Sequence, residues 1–157
     1  MRIAVEPLAA EAFSRFGQVL EAAGEPHRII NQGLCGRWHD LCEPEAIDGP
    51  VGISLFRSET RSLPYRLEMV ERHPLGSQAF LPMTAAPFLV IVCPDEDGTP
   101  GRPRAFLTAP GQGVNYALGT WHGVLTPLAP PGLFAVVDRI GEGNLEEHWF
   151  DAPWEVG

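Results

Sequence analysis

At 157 residues the chain has the length of one ordinary domain. It carries 11 basic and 20 acidic residues, a net charge of −9, which argues against a sequence-independent grip on nucleic acid, where affinity comes mainly from cationic contacts to phosphate. Every basic residue is arginine; with no lysine present, Schiff-base and pyridoxal chemistry, a phosphate loop of the GxxxxGK(S/T) type and a Ser-Lys dyad are excluded.

An apolar fraction of 45% with 20% charged residues is that of a globular chain, and 17 Gly with 16 Pro point to many short elements joined by turns. Residues 1–7 hold no secretory apolar stretch, and the longest apolar run, 85–93, is broken by Pro87 and far too short for a membrane span. The expectation is a cytoplasmic protein without membrane contact. Cys35, Cys42 and Cys93 form no CxxC pair and read as small packing residues.

In chain order, residues 8–21 place Phe13, Phe16, Val19 and Leu20 at helical spacing, although Gly17 leaves a strand open for the second half. Asn31, Arg37, His39 and Asp40 make a polar cluster near Gly33 and Gly36, read as a loop. Short strands are predicted at 51–57, 65–73, 78–83, 88–93, 104–108, 123–128 and 134–138. That spacing predicts a mainly β barrel or sandwich. Residues 144–149 read as a possible second helix, and the acidic stretch with Glu142, Glu146, Glu147, Asp151 and Glu155 as a solvated edge.

The strand at 65–73 bears the chemistry. Alternation puts Tyr65, Leu67, Met69, Glu71 and His73 on one face. If that face is the core face, Glu71 and His73 end up at its mouth, where a carboxylate needs a cation, a metal or hydrogen-bond donors. Gln78, on the returning strand, can lie beside His73. A plainer reading pairs Glu71 with an arginine and makes His73 an interior histidine. Farther along, a stretch with Gly111, Gly113 and Gly119 leads to Trp121 and His122. It is no dinucleotide fingerprint, because its glycines are wrongly spaced and its context is β-rich. Two imidazoles and a carboxylate together suit a divalent transition metal.

These pieces resemble the cupin pattern, with Glu71-x-His73-x4-Gln78 as the first motif and His122 as the second. Glu71 stands where that pattern has its first His, and Gln78 where it has its Glu. The whole chain resembles the ureidoglycolate lyase family. The resemblance rests on Ile30-Asn31-x-Gly33-Leu34, Arg37-x-His39-Asp40-Leu41, Glu71-Arg72-His73-Pro74-Leu75-Gly76-x-Gln78-Ala79-Phe80, Gln112-Gly113-Val114-Asn115-Tyr116, Trp121-His122 and Asp138-Arg139.

The resemblance implies residues 1–157 folded as one cupin-like antiparallel β-barrel of jelly-roll type with a short N-terminal helix. It further implies a cytoplasmic homodimer in the allantoin branch of purine breakdown. The reaction would cleave ureidoglycolate to glyoxylate and urea, with a divalent metal, nickel in this family, as possible cofactor. Glu71, His73 and His122 are the catalytic candidates, and Glu71, His73, Gln78 and His122 the metal ligands. Gln78, Asn115, Arg37, His39, Tyr116 and Trp121 are candidates for substrate contact. Without a metal, an arginine must meet the substrate carboxylate, with Arg37, Arg72 and Arg139 considered. Which group is base and which is acid stays open. So do a different cupin activity, a metal-dependent isomerase or oxygenase, and a non-catalytic ligand-binding module.

Overall fold

The structure is a computed structural model that describes all 157 residues, Met1–Gly157. Turn chemistry divides the chain into short strands. These are β1 (Arg2–Ile3), β2 (Val5–Pro7), β3 (Gly17–Leu20), β4 (Arg28–Ile30), β5 (Cys35–Arg37), β6 (Val51–Arg57), β7 (Tyr65–Arg72), β8 (Gln78–Pro82) and β9 (Phe88–Cys93). They continue with β10 (Asp95–Glu96), β11 (Thr99–Pro100), β12 (Arg104–Leu107), β13 (Gly113–Tyr116), β14 (Trp121–His122), β15 (Thr126–Pro127), β16 (Leu133–Arg139) and β17 (Glu146–Val156). Helix is confined to one turn, α1 (Ala10–Phe13), and a 3-10 turn at Asn31–Gly33.

Two sheets carry the fold. The larger runs β1-β17-β7-β14-β9-β12-β2, with β15 also on β9; the smaller runs β3-β13-β8-β16-β6. Hairpins β4–β5 and β10–β11 stand apart from both. The two sheets face each other and make a nearly closed, barrel-like structure. Alternation sends Phe80, Val114, Tyr116, Phe134 and Val136 of the smaller sheet inward, against Phe88, Val90, Val92 and Phe106 of the larger. The other residues of β9, Leu89, Ile91 and Cys93, join Ile3, Leu67, Val70, Trp121 and Val156 on the opposite face. A strand buried on both faces reads as a continuous apolar run, and β9 does.

The N-terminal helix expected over 8–21 is only four residues long. Gly17, at φ 149°, starts β3 instead, and a Cβ there would collide with the carbonyl oxygen of Asn115. Pairing of Gly17–Leu20 with Gly113–Tyr116 overrides the helical spacing of the side chains. The helix considered at 144–149 is likewise replaced by β17, an inner strand between β1 and β7. Glu146, Glu147 and Glu155 of the acidic stretch are therefore solvated in their side chains while their backbone is laddered to β7. Of the strand predicted at 123–128 only Thr126–Pro127 forms, as β15, and the separate strand β14, Trp121–His122, lies just before the predicted range.

On β7 the single apolar face drawn from alternation does not persist. Leu67 and Val70, three residues apart, both enter the outer cluster. The register against β17 shifts between Trp149 and Trp154, and such a bulge lets a strand change face. Beyond the shift, Glu71 sits opposite His122, and His122 opposite Val92. Because Val92 belongs to the interior cluster, Glu71 and His122 point inward and Arg72 and Trp121 outward.

Candidate active site

The inward end of β7 is where the interior turns polar. After Arg72 the strand stops, since Pro74 has no N–H to continue the ladder. The turn that follows is held by Asn144, whose Oδ1 accepts from the Leu75 N–H at 2.7 Å. The backbone carbonyl of the same Asn144 accepts from His73 Nδ1 at 2.7 Å. One loop residue thus sets both the turn and the imidazole. On β14, His122 Nδ1 donates to the Gly123 carbonyl at 3.0 Å. A carbonyl can only accept, so Nδ1 carries the proton in both rings and each Nε2 is left as a bare lone pair.

Those Nε2 atoms are buried and have no partner in the protein. One ligand atom each from Glu71, His73 and His122 can be chosen so that all lie within 4.8 Å of one another. The closest His73–Glu71 approach is 3.9 Å, from Nε2 to Oε1. The two imidazoles tilt toward each other with centroids 5.2 Å apart. Tyr116 stacks on His122 in parallel, at 4.2 Å between ring centres.

Gln78 approaches from the smaller sheet, paired with Tyr116 on one side and Asp138 on the other. Its Nε2 donates to Asp138 Oδ2 at 3.0 Å, which leaves Oε1 as a third buried polar atom without a partner. Glu71 and Gln78 line a cavity of about 500 Å³ whose walls include Phe56, Phe80, Val124 and Leu125, with Arg57, Ser58 and Arg61 beside them.

Burial governs the electrostatics. It raises the Glu71 carboxyl above its ordinary range; His73 pulls the other way, and Glu147 adds a further push upward. It lowers His122 to about 3, with the neighbouring His73 contributing and the Gly123 carbonyl opposing. Tyr116 is raised, first by burial and then by the charge of Glu71. A neutral, lone-pair-bearing His122 beside a carboxylate is a ligand or acceptor, not a proton donor.

Six residues weighed from the sequence lie elsewhere. Trp121 faces away from the interior, its Nε1 donating to Asp95 at 2.9 Å and its ring under the Arg72 guanidinium at 4.4 Å. Asn115 is buried on the outer side of the smaller sheet, donating to Gln18 at 2.8 Å. Arg37 and His39 belong to the exposed β4–β5 hairpin region, where the His39 N–H donates to His27 Nδ1 at 3.0 Å. Arg72 is engaged by Glu146 and Asp95, and Arg139 by the carbonyls of Ile47, Asp48 and Glu142.

Two supporting residues escaped the sequence reading. Asn144 opens the stretch 144–149 that reads as a second helix, and nothing in the sequence attaches a role to it. Asp138 stood in a matched pair with Arg139 but carried no role; its register opposite Gln78 supplies one.

Fold and site together define a mainly β protein whose interior holds a His–His–Glu cluster suited to a divalent metal. The donor set is right in kind, with two imidazoles and a carboxylate, and its free atoms are those a metal would use. The chain belongs to the ureidoglycolate lyase family, whose model matches residues 1–157. It is 57% identical over 154 residues to a ureidoglycolate lyase of Rhodobacter capsulatus, covering 97% of this chain and 96% of the relative. It is 55% identical over 158 residues to one from a Chelativorans species, at 99% and 96% coverage, and 52% identical over 159 residues to one from Mesorhizobium japonicum, at 99% and 97%. These relatives are named as enzymes of one activity.

Proposed function

We propose that the chain is a ureidoglycolate lyase, cleaving ureidoglycolate to glyoxylate and urea in purine breakdown, with residues 1–157 working as one cupin-like domain. The observation that carries this reading is the pair of buried, unpartnered imidazole Nε2 atoms gathered against Glu71, in a chain that the family matches from end to end. The substrate is a carbinolamide. Its hydroxyl loses a proton, the C–O bond becomes a carbonyl, the C–N bond breaks, and the departing nitrogen gains a proton. The proton count balances with no covalent intermediate, in keeping with a chain that lacks lysine.

Glu71, His73 and His122 would hold a divalent metal, with Gln78 Oε1 as a further donor; nickel is the ion the resemblance implies. A bound ion supplies Lewis-acid polarisation of the substrate hydroxyl. Glu71 accepts the hydroxyl proton and returns it to the urea nitrogen. A carboxylate has two oxygens, so ligation through one leaves the other for that task, and its raised affinity for protons suits transfer in both directions. Asn144 and the Gly123 carbonyl keep the two imidazoles aimed, and Asp138 keeps Gln78 aimed. Tyr116 walls the site through its stacking on His122.

Purified protein given racemic ureidoglycolate is expected to release urea and glyoxylate. Ammonia in place of urea would mean an amidohydrolase, and glyoxylate binding without turnover a ligand-binding module. Activity that survives complete metal removal, verified by elemental analysis, rejects the metal's role and leaves the acid–base route.

The proposal includes a cytoplasmic homodimer. Three free thiols suit a reducing compartment. Edge strand β6 shows Ile53 and Leu55 to solvent, 78% and 65% exposed, with Leu81 of β8 in the same cross-strand row as Leu55 on the far side of Ala135. An apolar sheet edge of this kind invites a covering partner, here a second copy. A sedimentation mass of one chain would refute this part.

A further inference from the structure

We propose that Arg57 and Arg61 are the carboxylate anchor of the cavity that holds Glu71 and Gln78. This rests on the lyase reading and goes beyond it, since none of the arginines weighed from the sequence lines that cavity. A substrate with one carboxylate, bound against apolar walls, needs a cationic partner, and a guanidinium meets a carboxylate with two parallel hydrogen bonds.

The eleven arginines can be accounted for one by one. Arg2, Arg66, Arg72 and Arg104 pair with carboxylates. Arg139 is used by backbone carbonyls. Arg15 and Arg102 lie over aromatic rings. Arg28 and Arg37 are on the β4–β5 hairpin. Arg57 and Arg61 remain, and both lie in the wall of the Glu71 cavity. Neither has a carboxylate within ion-pair distance. In a chain of net charge −9, two cations without a carboxylate partner at one cavity are a local reversal of sign that draws an anion in.

Their backbone is fixed. Arg57 closes β6 opposite Leu133. The Ser58 N–H donates to Gly132 O and the Arg61 N–H to Pro127 O, both at 2.8 Å. Ser58 Oγ donates to Leu125 O at 3.2 Å, tying this turn to the opposite wall. Arg61 Nη1 donates to Glu59 O at 2.8 Å, which steadies the side chain and leaves its other N–H groups available. Phe56 packs edge-on against Phe80 at 5.9 Å and keeps the wall between them apolar. With Glu71 as the one carboxylate lining the cavity, repulsion sets the substrate's direction: its carboxylate toward the arginines, its hydroxyl toward Glu71.

The test is calorimetric titration of glyoxylate, and separately of urea, into wild type, Arg57→Gln, Arg61→Gln and the double variant, at matched metal content and Tm. Each single change is expected to weaken glyoxylate binding about tenfold and the double change about a hundredfold, as the loss of charge-assisted hydrogen bonds demands. Urea affinity should not move, and Arg57→Lys should recover part of the loss. KM for ureidoglycolate should rise by a similar factor with a smaller change in kcat. An unchanged glyoxylate Kd in the double variant, or a wild type that does not bind glyoxylate, overturns the anchor. Equal losses for glyoxylate and urea overturn it too, since they report general damage. Glyoxylate binding that depends on both arginines, in a protein releasing no urea, keeps the anchor and defeats the lyase reading; urea release with glyoxylate Kd unchanged in the double variant does the reverse.

Discussion

Two histidine-bearing clusters of this chain looked alike on paper and differ in the fold. One, around Asn31, Arg37, His39 and Asp40, lies on and beside an exposed hairpin, where the His39 backbone bonds His27 and the charged groups meet water. The other, at the inner ends of β7, β8 and β14, gathers beside Glu71 three buried polar atoms without any partner: Nε2 of His73, Nε2 of His122 and Oε1 of Gln78. Residue types do not separate the two; unmet hydrogen-bonding capacity does. Desolvating a polar group without a partner costs about 1–3 kcal/mol. A protein that leaves several such groups together, each aimed by its own backbone or side-chain clamp, has reserved them for something not part of the chain.

The strongest way to break that contrast is by substitution inside the buried cluster. His73→Ala and His122→Ala are each expected to lower kcat/KM by at least about 10²-fold, the lower end of what a positioned acid–base group supplies. Circular dichroism and Tm check that the variants are folded, and a near wild-type rate in folded His122→Ala would remove the site's premise.

A second test is thermodynamic. His122 is held near 3 in the folded protein against an ordinary value of 6.5. Below 6.5 the unfolded chain takes up a proton that the folded chain refuses, so stability falls as pH drops through this window. The slope approaches about 1.4 kcal/mol per pH unit, or about 2 kcal/mol between pH 7 and pH 5. Glu71, raised above 4.5, works in the opposite sense, because the folded form protonates first. Comparing metal-free wild type with His122→Gln by urea unfolding cancels the Glu71 contribution. The variant should lose about 2 kcal/mol less over this range, and equal losses would show that His122 is not held neutral.

The smallest effect belongs to the exposed cluster. Arg37→Ala and His39→Ala are expected to change kcat/KM by less than about threefold, within the reach of surface electrostatics. A hundredfold loss would mean that the hairpin reaches the site of a second copy in the proposed dimer, and the contrast would have to be redrawn between one copy and two.

Much of this was legible beforehand. β6, β8, β9, β12 and β16 fall within a residue or two of the predicted strands, because each is an apolar run bounded by turn residues. Glu71, His73 and His122 were picked out by spacing and by likeness, and the fold brings them together. The failures have long-range causes. β3 looked helical because its side-chain period is ambiguous and its decisive feature, Gly17 under the Asn115 carbonyl, is a contact nearly a hundred residues away in sequence. β17 looked like a solvated tail because its charges face water while its backbone is laddered to β7. Parallel pairings of two or three residues, such as β1 with β17, carry no local signal. Arg57 and Arg61 were passed over because nothing nearby in the sequence marks one arginine as free of an acid and another as taken.

The ring of Tyr116 lies flat on His122, 2° from parallel. An imidazole stacked on one face in this way and pinned at Nδ1 has lost the freedom to flip before any ligand comes. The cost of freezing that side chain is met at folding rather than at binding, so an incoming molecule encounters a rigid lone pair already in place. Replacing the phenol ring by a small residue would restore the rotation, and the penalty would reappear in the ligand's affinity.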